Sequence, residues 1–422
     1  MSIAQNAGSM YDLAILGGLC WVKGRFVECN VAVNGNRISY VGKEEVSADL
    51  KINASGCFVL PALFNAHTHA AMVLLRGVAE GLPLLEWLSV VQRIEGKMRG
   101  EDVYWGSLLA CVEMARSGVA GFADMYIHMD AVAKAVGDAG LRAALGYGMA
   151  DRGDAERALQ ELSEGLRFAK LWDGAFNGRI RATLAPHAPY TCSPEFLEEV
   201  KRHDYVKHIH VAETLWEVRE IKRRYGKRPV ELLESLGFLD SRTVLAHAVW
   251  LSDAEIELLA KRKVSVAHCP ASNMKLGSGV ARVAEMVEAG VNVCIGTDGA
   301  ASNNTLSVAH EVRIAALLQL LRRKPIKASR LIEMATRNGY RAYGFEGGEI
   351  DARKLADIAI FPKKIQHFPS YDENSIVFAP GEVSTLIVDG EVVLEDGIML
   401  SVDEEKVLRK CEKVAERLLT GF

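Results

Sequence analysis

Near its start the chain sets apolar positions in short β-type runs, LAILGGLCWV, RFVECNVAV and RISYVG, separated by Gly and Asn turn signals such as Asn34-Gly35-Asn36. This pattern predicts a small antiparallel sheet. The same texture returns late, in ADIAIFP and STLIVDGEVVLEDGIML, where Asp389-Gly390 marks a hairpin turn. Two separated segments of one style are expected to build one accessory domain. The last stretch places Val407, Leu408, Cys411, Val414, Leu418 and Leu419 at helical spacing, which predicts a terminal helix.

Between these ends the pattern changes. Short β-branched or apolar runs alternate with longer amphipathic ones such as EDVYWGSLLACVEMARSG and DAEIELLAKRK, the alternation expected of βα units around a parallel sheet. Candidate strands fall at FVLPALFNAH, VAGFADM, LRAALGYGM, RIRATLAPH, VKHIHVAE, TVLAHAV, VSVAHCP and VNVCIGTD, and eight is the number of a (β/α)8 barrel. The expected fold is therefore α/β, a TIM-type barrel over residues 59–347, with an N-terminal β segment over 1–58 and a C-terminal β segment plus helix over 348–422.

Composition narrows this only a little. A chain of 422 residues, 49% hydrophobic and 25% charged with a net charge of −4, has the balance of a globular protein and no basic excess for nucleic acid. No window carries the roughly 18 consecutive apolar residues of a membrane span, and MSIAQNAGSM lacks the basic start and apolar middle of a signal peptide, so a cytoplasmic location is expected. The 8 cysteines are scattered, without CxxC, and read as small buried hydrophobes.

Candidate chemistry sits where the strands end. His67 and His69, Asp124, His187, His210 with Glu213, His247, His268 and Asp298 all follow apolar runs, and a barrel gathers its active site at the C-terminal ends of its strands. Residues two apart on a strand share a side, so His67 and His69 in FNAHTHAAM can offer two imidazoles to one ion. With His210 and Asp298 they make a set suited to one Zn²⁺, with Fe²⁺ as second choice, leaving room for a water whose pKa the ion would lower. Glu213, three residues past His210, is the candidate general acid/base, and His247 and Asp298 are candidates to orient the attacking water. His128, His203, His208, His310 and His367 are read as ordinary hydrogen-bonded polar groups, and Asp124 is left unassigned.

PALFNAHTHAAMVLLRG, HIHVAET, HCPASNMKLG and GTDGAASNN together resemble the amidohydrolase superfamily, and within it the deaminases of methylthioadenosine and S-adenosylhomocysteine. The resemblance runs over nearly the whole chain. It implies a distorted barrel beside a β-sandwich made from both chain ends, with one Zn²⁺ on His67, His69, His210 and Asp298. It also implies hydrolytic removal of the 6-amino group of an adenine nucleoside, with Glu213 moving a proton from water to N1 and His247 assisting the attack. By the same resemblance Glu95 in QRIEGK would hold the ribose hydroxyls, His187 in APHAPYT would stand near purine and ribose, and Trp87 would line the pocket. Relatives that accept the S-adenosylhomocysteine tail present arginines after the third strand. Here ALGYGMADRGDAER places Tyr147 at the first such position and Arg157 at the second, with Arg152 able to compensate, which favours methylthioadenosine, adenosine or a related 5'-deoxyadenosine. Relatives are commonly homo-oligomers, and the same is expected here.

Other readings use the same scaffold. A two-metal amidase would need a lysine at the end of the fourth strand, where RIRATLAPHAP offers His187, so one metal is favoured. A guanine or cytosine deaminase or a triazine chlorohydrolase shares the chemistry of displacing a group from an electron-poor ring. A non-catalytic assembly protein would have lost ligands that are all present here. The Gly-rich run GFEGGE lacks the lysine and hydroxyl of a phosphate-binding loop and reads as a turn.

Overall fold

A computed structural model describes residues 11–420; the opening MSIAQNAGSM, with its expected lack of a targeting signal, and residues 421–422 lie outside them. The first five strands are β1 (Tyr11–Val22), β2 (Arg25–Asn34), β3 (Arg37–Gly42), β4 (Ala48–Asn53) and β5 (Cys57–Pro61). The next eight are β6 (Leu63–Thr68), β7 (Val119–Tyr126), β8 (Arg142–Met149), β9 (Ile180–Pro186), β10 (Val206–Val211), β11 (Thr243–His247), β12 (Ser265–His268) and β13 (Asn292–Ile295). The chain closes with β14 (Ile358–Pro362), β15 (Thr385–Val388), β16 (Glu391–Glu395), β17 (Ile398–Met399) and the helix Glu404–Leu419.

Strands β6 to β13 form one eight-stranded sheet in sequence order, and every registered pair in it is parallel. Helices connect the strands, and both faces of the sheet are covered, so β6 and β7 are buried at every position. The ends of the sheet meet where the N–H groups of Thr297 and Asp298 both donate to the carbonyl oxygen of His67, at 3.1 and 2.9 Å. Asn65 latches the same seam, its Oδ1 accepting from the Thr297 N–H at 2.9 Å and its Nδ2 donating to Thr297 Oγ1 at 2.7 Å. Gly296 permits this approach, because a Cβ there would stand 2.9 Å from the His67 nitrogen.

The stretch FVLPALFNAH, expected as one strand, is two. Through Pro61 the chain belongs to β5, paired with β1 and β14, and only from Leu63 does it enter the barrel as β6. The run is apolar on both sides of Ala62, so its pattern carries no sign of the change of sheet.

Both chain ends build the second sheet, in the order β17-β16-β15-β14-β5-β1-β2-β3 with β4 on β1. Its buried core includes Leu13, Ile15, Val31, Val33, Val59, Ile358 and Ile387. A buried ion pair joins this sheet to the barrel: Arg142, at the start of β8, donates from Nε and Nη2 to both carboxylate oxygens of Asp357 at 2.8 and 3.1 Å, and from Nη2 to Asp389 at 2.8 Å. The terminal helix buries Val407, Cys411, Val414 and Leu418 and lies along the helix Gly100–Arg116, where Cys411 Sγ donates to the Trp105 carbonyl oxygen. No helix among the described residues is long and apolar enough to cross a membrane.

Candidate metal centre and active site

The strand ends converge as the barrel geometry requires. Ligand atoms of His67, His69 and Asp298 lie within 4.8 Å of one another, and so do those of His67, His210 and His247. Asp298 Oδ1 stands 3.5 Å from His67 Nε2 and 3.3 Å from His69 Nε2. His67 Nε2 is buried and has no hydrogen-bond partner. An unpartnered nitrogen of this kind, facing a carboxylate and further imidazoles, fits a cation better than a proton.

The residues around the cluster hold each group in the protonation state that a cation needs. His69 Nδ1 donates to the Met125 carbonyl oxygen and His210 Nδ1 to that of His187, both at 2.7 Å, which leaves each Nε2 with a free lone pair. Burial pushes His67 down to about 4 and His210 well below the usual imidazole range, so both are neutral at pH 7. Burial alone would raise Asp298, but the neighbouring imidazoles of His67, His69 and His247 hold it well below the carboxylate range. Its Oδ2 accepts from Ser272 Oγ at 2.6 Å and Ser302 Oγ at 2.8 Å, and its Oδ1 accepts from the Gly299 N–H at 2.8 Å. Oδ1 is thereby turned toward the imidazoles.

Backbone strain marks the same places. Ala212, His247, Ala248 and Asp298 have φ of 52°, 71°, 47° and 62°, a region that non-glycine residues seldom occupy. Each such residue costs about 1–3 kcal/mol, which the rest of the fold must offset.

Glu213 follows β10 and is buried, which raises its carboxyl above the usual range while His247 opposes that shift. Its Oε1 accepts from Ser278 Oγ at 2.9 Å, and its Oε2 lies 3.9 Å from His247 Nε2. Thr214-Leu215-Trp216-Glu217 has the spacing of a capping box, and Thr214 does cap the helix Leu215–Tyr225. Glu217 instead reaches back past the cap, accepting the N–H groups of Ala212 at 2.8 Å and Glu213 at 2.9 Å, so the helix start fixes the backbone that carries Glu213. His247 Nδ1 donates to Asn273 Oδ1 at 2.9 Å.

One cavity of about 470 Å³ is lined by His69, His210, Glu213, His247 and Asp298 together with Trp87, Glu95 and His187. Trp87 Nε1 and Glu95 Oε1 are buried on its wall without partners, an idle donor and an idle acceptor. His187 Nδ1 is engaged with Thr191 Oγ1 at 2.9 Å. Arg157 does not line this cavity: it lies in the helix Ala155–Trp172, with Nη2 3.2 Å from Glu161. Arg152, with φ of 53°, stands on the wall instead.

Sequence reasoning missed several contributors. Ser272, Asn273 and Ser278 stand in or beside HCPASNMKLG, which reads as a loop, and Ser302 stands in GTDGAASNN. His208 lies in direct contact with His67, Nε2 to Nδ1 at 3.0 Å. Its spacing of two from His210 in KHIHV was the available signal, since it puts both imidazoles on one side of β10. Asp124 is buried, accepts the Ala70 N–H at 3.1 Å and is pushed up to about 7 by burial.

Residues 58–393 match the Amidohydrolase family. The chain is 59% identical over 416 residues to 5-methylthioadenosine/S-adenosylhomocysteine deaminase 2 of Archaeoglobus fulgidus, covering 98% of this chain and 100% of that one. It is 45% identical over 402 residues to 5'-deoxyadenosine deaminase of Methanosarcina acetivorans, covering 92% and 93%. Among solved structures, an adenosine deaminase from Xanthomonas campestris with bound zinc superposes with a TM-score of 0.92 at 30% identity, covering 97% and 99%. An atrazine chlorohydrolase from Arthrobacter aurescens superposes with a TM-score of 0.90 at 24% identity, covering 96% and 100%, a likeness of fold.

Proposed function

Since the chain belongs to the amidohydrolase family, we infer that it is a metal-dependent hydrolase that deaminates adenine nucleosides, releasing ammonia and the hypoxanthine product. The observation that carries this reading is the cavity itself, which joins the imidazole and carboxylate cluster to Glu213 and His247 and to the idle polar atoms of Trp87 and Glu95. A volume of about 470 Å³ accommodates a nucleoside.

His67, His69, His210 and Asp298 would hold one divalent ion, and zinc suits a set of three imidazoles and a carboxylate best. Such an ion supplies an acidified water and polarisation of the reacting centre. The remaining work falls to the protein. Glu213, its carboxyl raised by burial, accepts a proton from the attacking water and delivers it to N1 of the adenine ring as the water oxygen bonds to C6; the remaining hydroxyl proton passes to the amino nitrogen, the C6–N bond breaks, and ammonia leaves behind a C6 carbonyl. His247 steadies the oxygen as it adds, from a ring fixed by Asn273. Glu95 accepts from the ribose hydroxyls, while Trp87 and His187 border the base and sugar.

With Arg157 bound to Glu161, the wall keeps one guanidinium, that of Arg152, for a carboxylate on the 5' substituent. Methylthioadenosine, adenosine and 5'-deoxyadenosine are therefore ranked above S-adenosylhomocysteine. The test is ammonia release by zinc-loaded protein from these four, beside guanine, cytosine and a chlorotriazine, with metal content measured on the same sample. Turnover of the adenine nucleosides supports the reading; turnover of the triazine alone would replace it.

A further inference from the structure

Two of the donors that turn the Asp298 carboxylate come from different loops of the barrel. Ser272, in the short helix Pro270–Lys275 after β12, and Ser302, in the single helical turn Ala300–Asn303 after β13, both bring Oγ to Asp298 Oδ2, at 2.6 and 2.8 Å. Ser302 Oγ also stands 3.1 Å from the Gly299 carbonyl oxygen, but the carboxylate is the nearer acceptor and the charged one. The end torsion of an aspartate is soft, so partners of this kind decide which oxygen faces the imidazoles.

The residues next to these two serines share a partner. Glu311, in the helix Val308–Leu321, accepts the Ala271 N–H on Oε2 and an Asn303 Nδ2 hydrogen on Oε1, both at 3.0 Å. Ala271 precedes Ser272, and Asn303 follows Ser302. The Ala271 N–H lies in the first turn of its helix, where no intrahelical acceptor exists and Cys269 supplies no side-chain cap, so Glu311 takes up a donor that the helix leaves over. Asn303 Nδ2 also donates to the Thr297 carbonyl oxygen at 2.6 Å, which ties the same amide to the residue before Asp298. Glu311, Ser272 and Ser302 are each 0% exposed, so these bonds lie away from solvent. Burial pushes the Glu311 carboxyl up to about 8, yet each oxygen keeps a lone pair for its N–H donor in either protonation state.

We propose that Glu311 is a positioning residue whose one carboxylate clamps the loops after β12 and β13, so that both serine hydroxyls reach Asp298 Oδ2 and Oδ1 stays turned to the imidazoles. This rests on the reading of Asp298 as a ligand. Removing an outer partner of a metal ligand typically changes metal affinity by about 10–100-fold, and Glu311, which acts through the serines, is expected at the lower end.

The experiment measures zinc affinity by competition with a chromogenic chelator, together with the melting temperature of each metal-free protein. The proteins are the wild-type chain, Glu311→Gln, Glu311→Ala, the double variant Ser272→Ala/Ser302→Ala, and that double variant with Glu311→Gln added. Gln keeps the shape of the side chain and one acceptor, but its amide nitrogen meets the other donor, so one loop is released. Glu311→Gln is expected to weaken zinc binding by about 10-fold, and Glu311→Ala by more. Once both serines are replaced, Glu311→Gln is expected to cost less than about 2-fold further, because the contacts it acts through are gone. A merely structural glutamate would lower the metal-free melting temperature and let the losses in affinity multiply. If Glu311→Ala fails to fold, the Gln variant and its combination with the serine changes still decide. Wild-type affinity in Glu311→Gln, or losses that multiply in the combined variant, would overturn the clamp while leaving Asp298 a ligand. A wild-type protein that binds no zinc would overturn the ligand assignment itself, and the clamp with it.

Discussion

His247 Nδ1 lies 2.9 Å from Asn273 Oδ1, so an amide on the short helix Pro270–Lys275, which follows β12, decides which nitrogen of His247 faces the cavity. With Nδ1–H given to the amide oxygen, His247 turns Nε2 to the side of the cavity where Glu213 stands; burial would lower its imidazole, but Glu213 and Asp298 hold it above the usual range.

Replacing Asn273 by Leu should therefore reduce kcat by about 10–100-fold, because it removes the acceptor that fixes the His247 ring. Zinc content should stay that of the wild-type chain, since Asn273 is not among the ligand candidates. Steady-state kinetics and metal analysis on one preparation check this; an unchanged kcat would remove Asn273 from the account.

Glu213→Gln should keep its metal and lose about 10²–10⁴-fold in turnover, because the amide keeps the shape of the side chain and cannot carry a proton between water and ring. The comparison is made on ammonia release at saturating substrate. Turnover at the wild-type rate would assign the proton transfer to another group.

Arg142→Ala should lower the unfolding free energy by about 3–5 kcal/mol, because it leaves the buried carboxylate of Asp357 and the partly buried one of Asp389 without their common partner. Denaturant titration of the metal-loaded protein measures this. A loss below about 1 kcal/mol would mean that water enters the junction and that the pair does not fasten the second sheet to the barrel.

Glu217 gives a pH dependence with a definite sign. Burial pushes its carboxyl up to about 8, against the pull of the two backbone N–H groups, so the folded state holds a proton there that the unfolded chain releases near 4.5. The folded state binds more protons through that window, and this contribution to stability is present below about pH 4.5 and is lost as pH rises toward about 8. The stability advantage of the wild-type chain over Glu217→Gln should accordingly shrink between about pH 5 and pH 8. Denaturant titrations of both proteins across that range read it. An advantage that grows with pH would show the carboxylate to be ionised in the folded protein.

Chelation should abolish ammonia release and lower the melting temperature, and added zinc should restore both, because an ion bound by the folded state alone stabilises it by mass action. Scanning calorimetry with and without the chelator reads the second effect. An equal melting temperature in both would argue against a site built from His67, His69, His210 and Asp298.

By itself the sequence determined the barrel, the sharing of the second sheet between the chain ends, and the main chemical groups, because these depend on local periodicity and on residue types at strand ends. His67 and His69 could be paired from spacing alone, since residues two apart in an extended chain share a side, although β6 itself ends at Thr68. Only the tertiary structure decided what each group faces. The change of sheet at Ala62 is set by pairing with β1 and β14, which are distant in sequence. Asn273 reaches His247 across 26 residues, and Ser302 and Ser272 meet on one oxygen of Asp298. Arg157 is a match in sequence that the fold turns to Glu161, and Arg152 takes the wall of the cavity. Orientation and protonation depend on such contacts between distant segments, and a hydrogen bond formed across a barrel leaves no periodic trace in the chain that makes it.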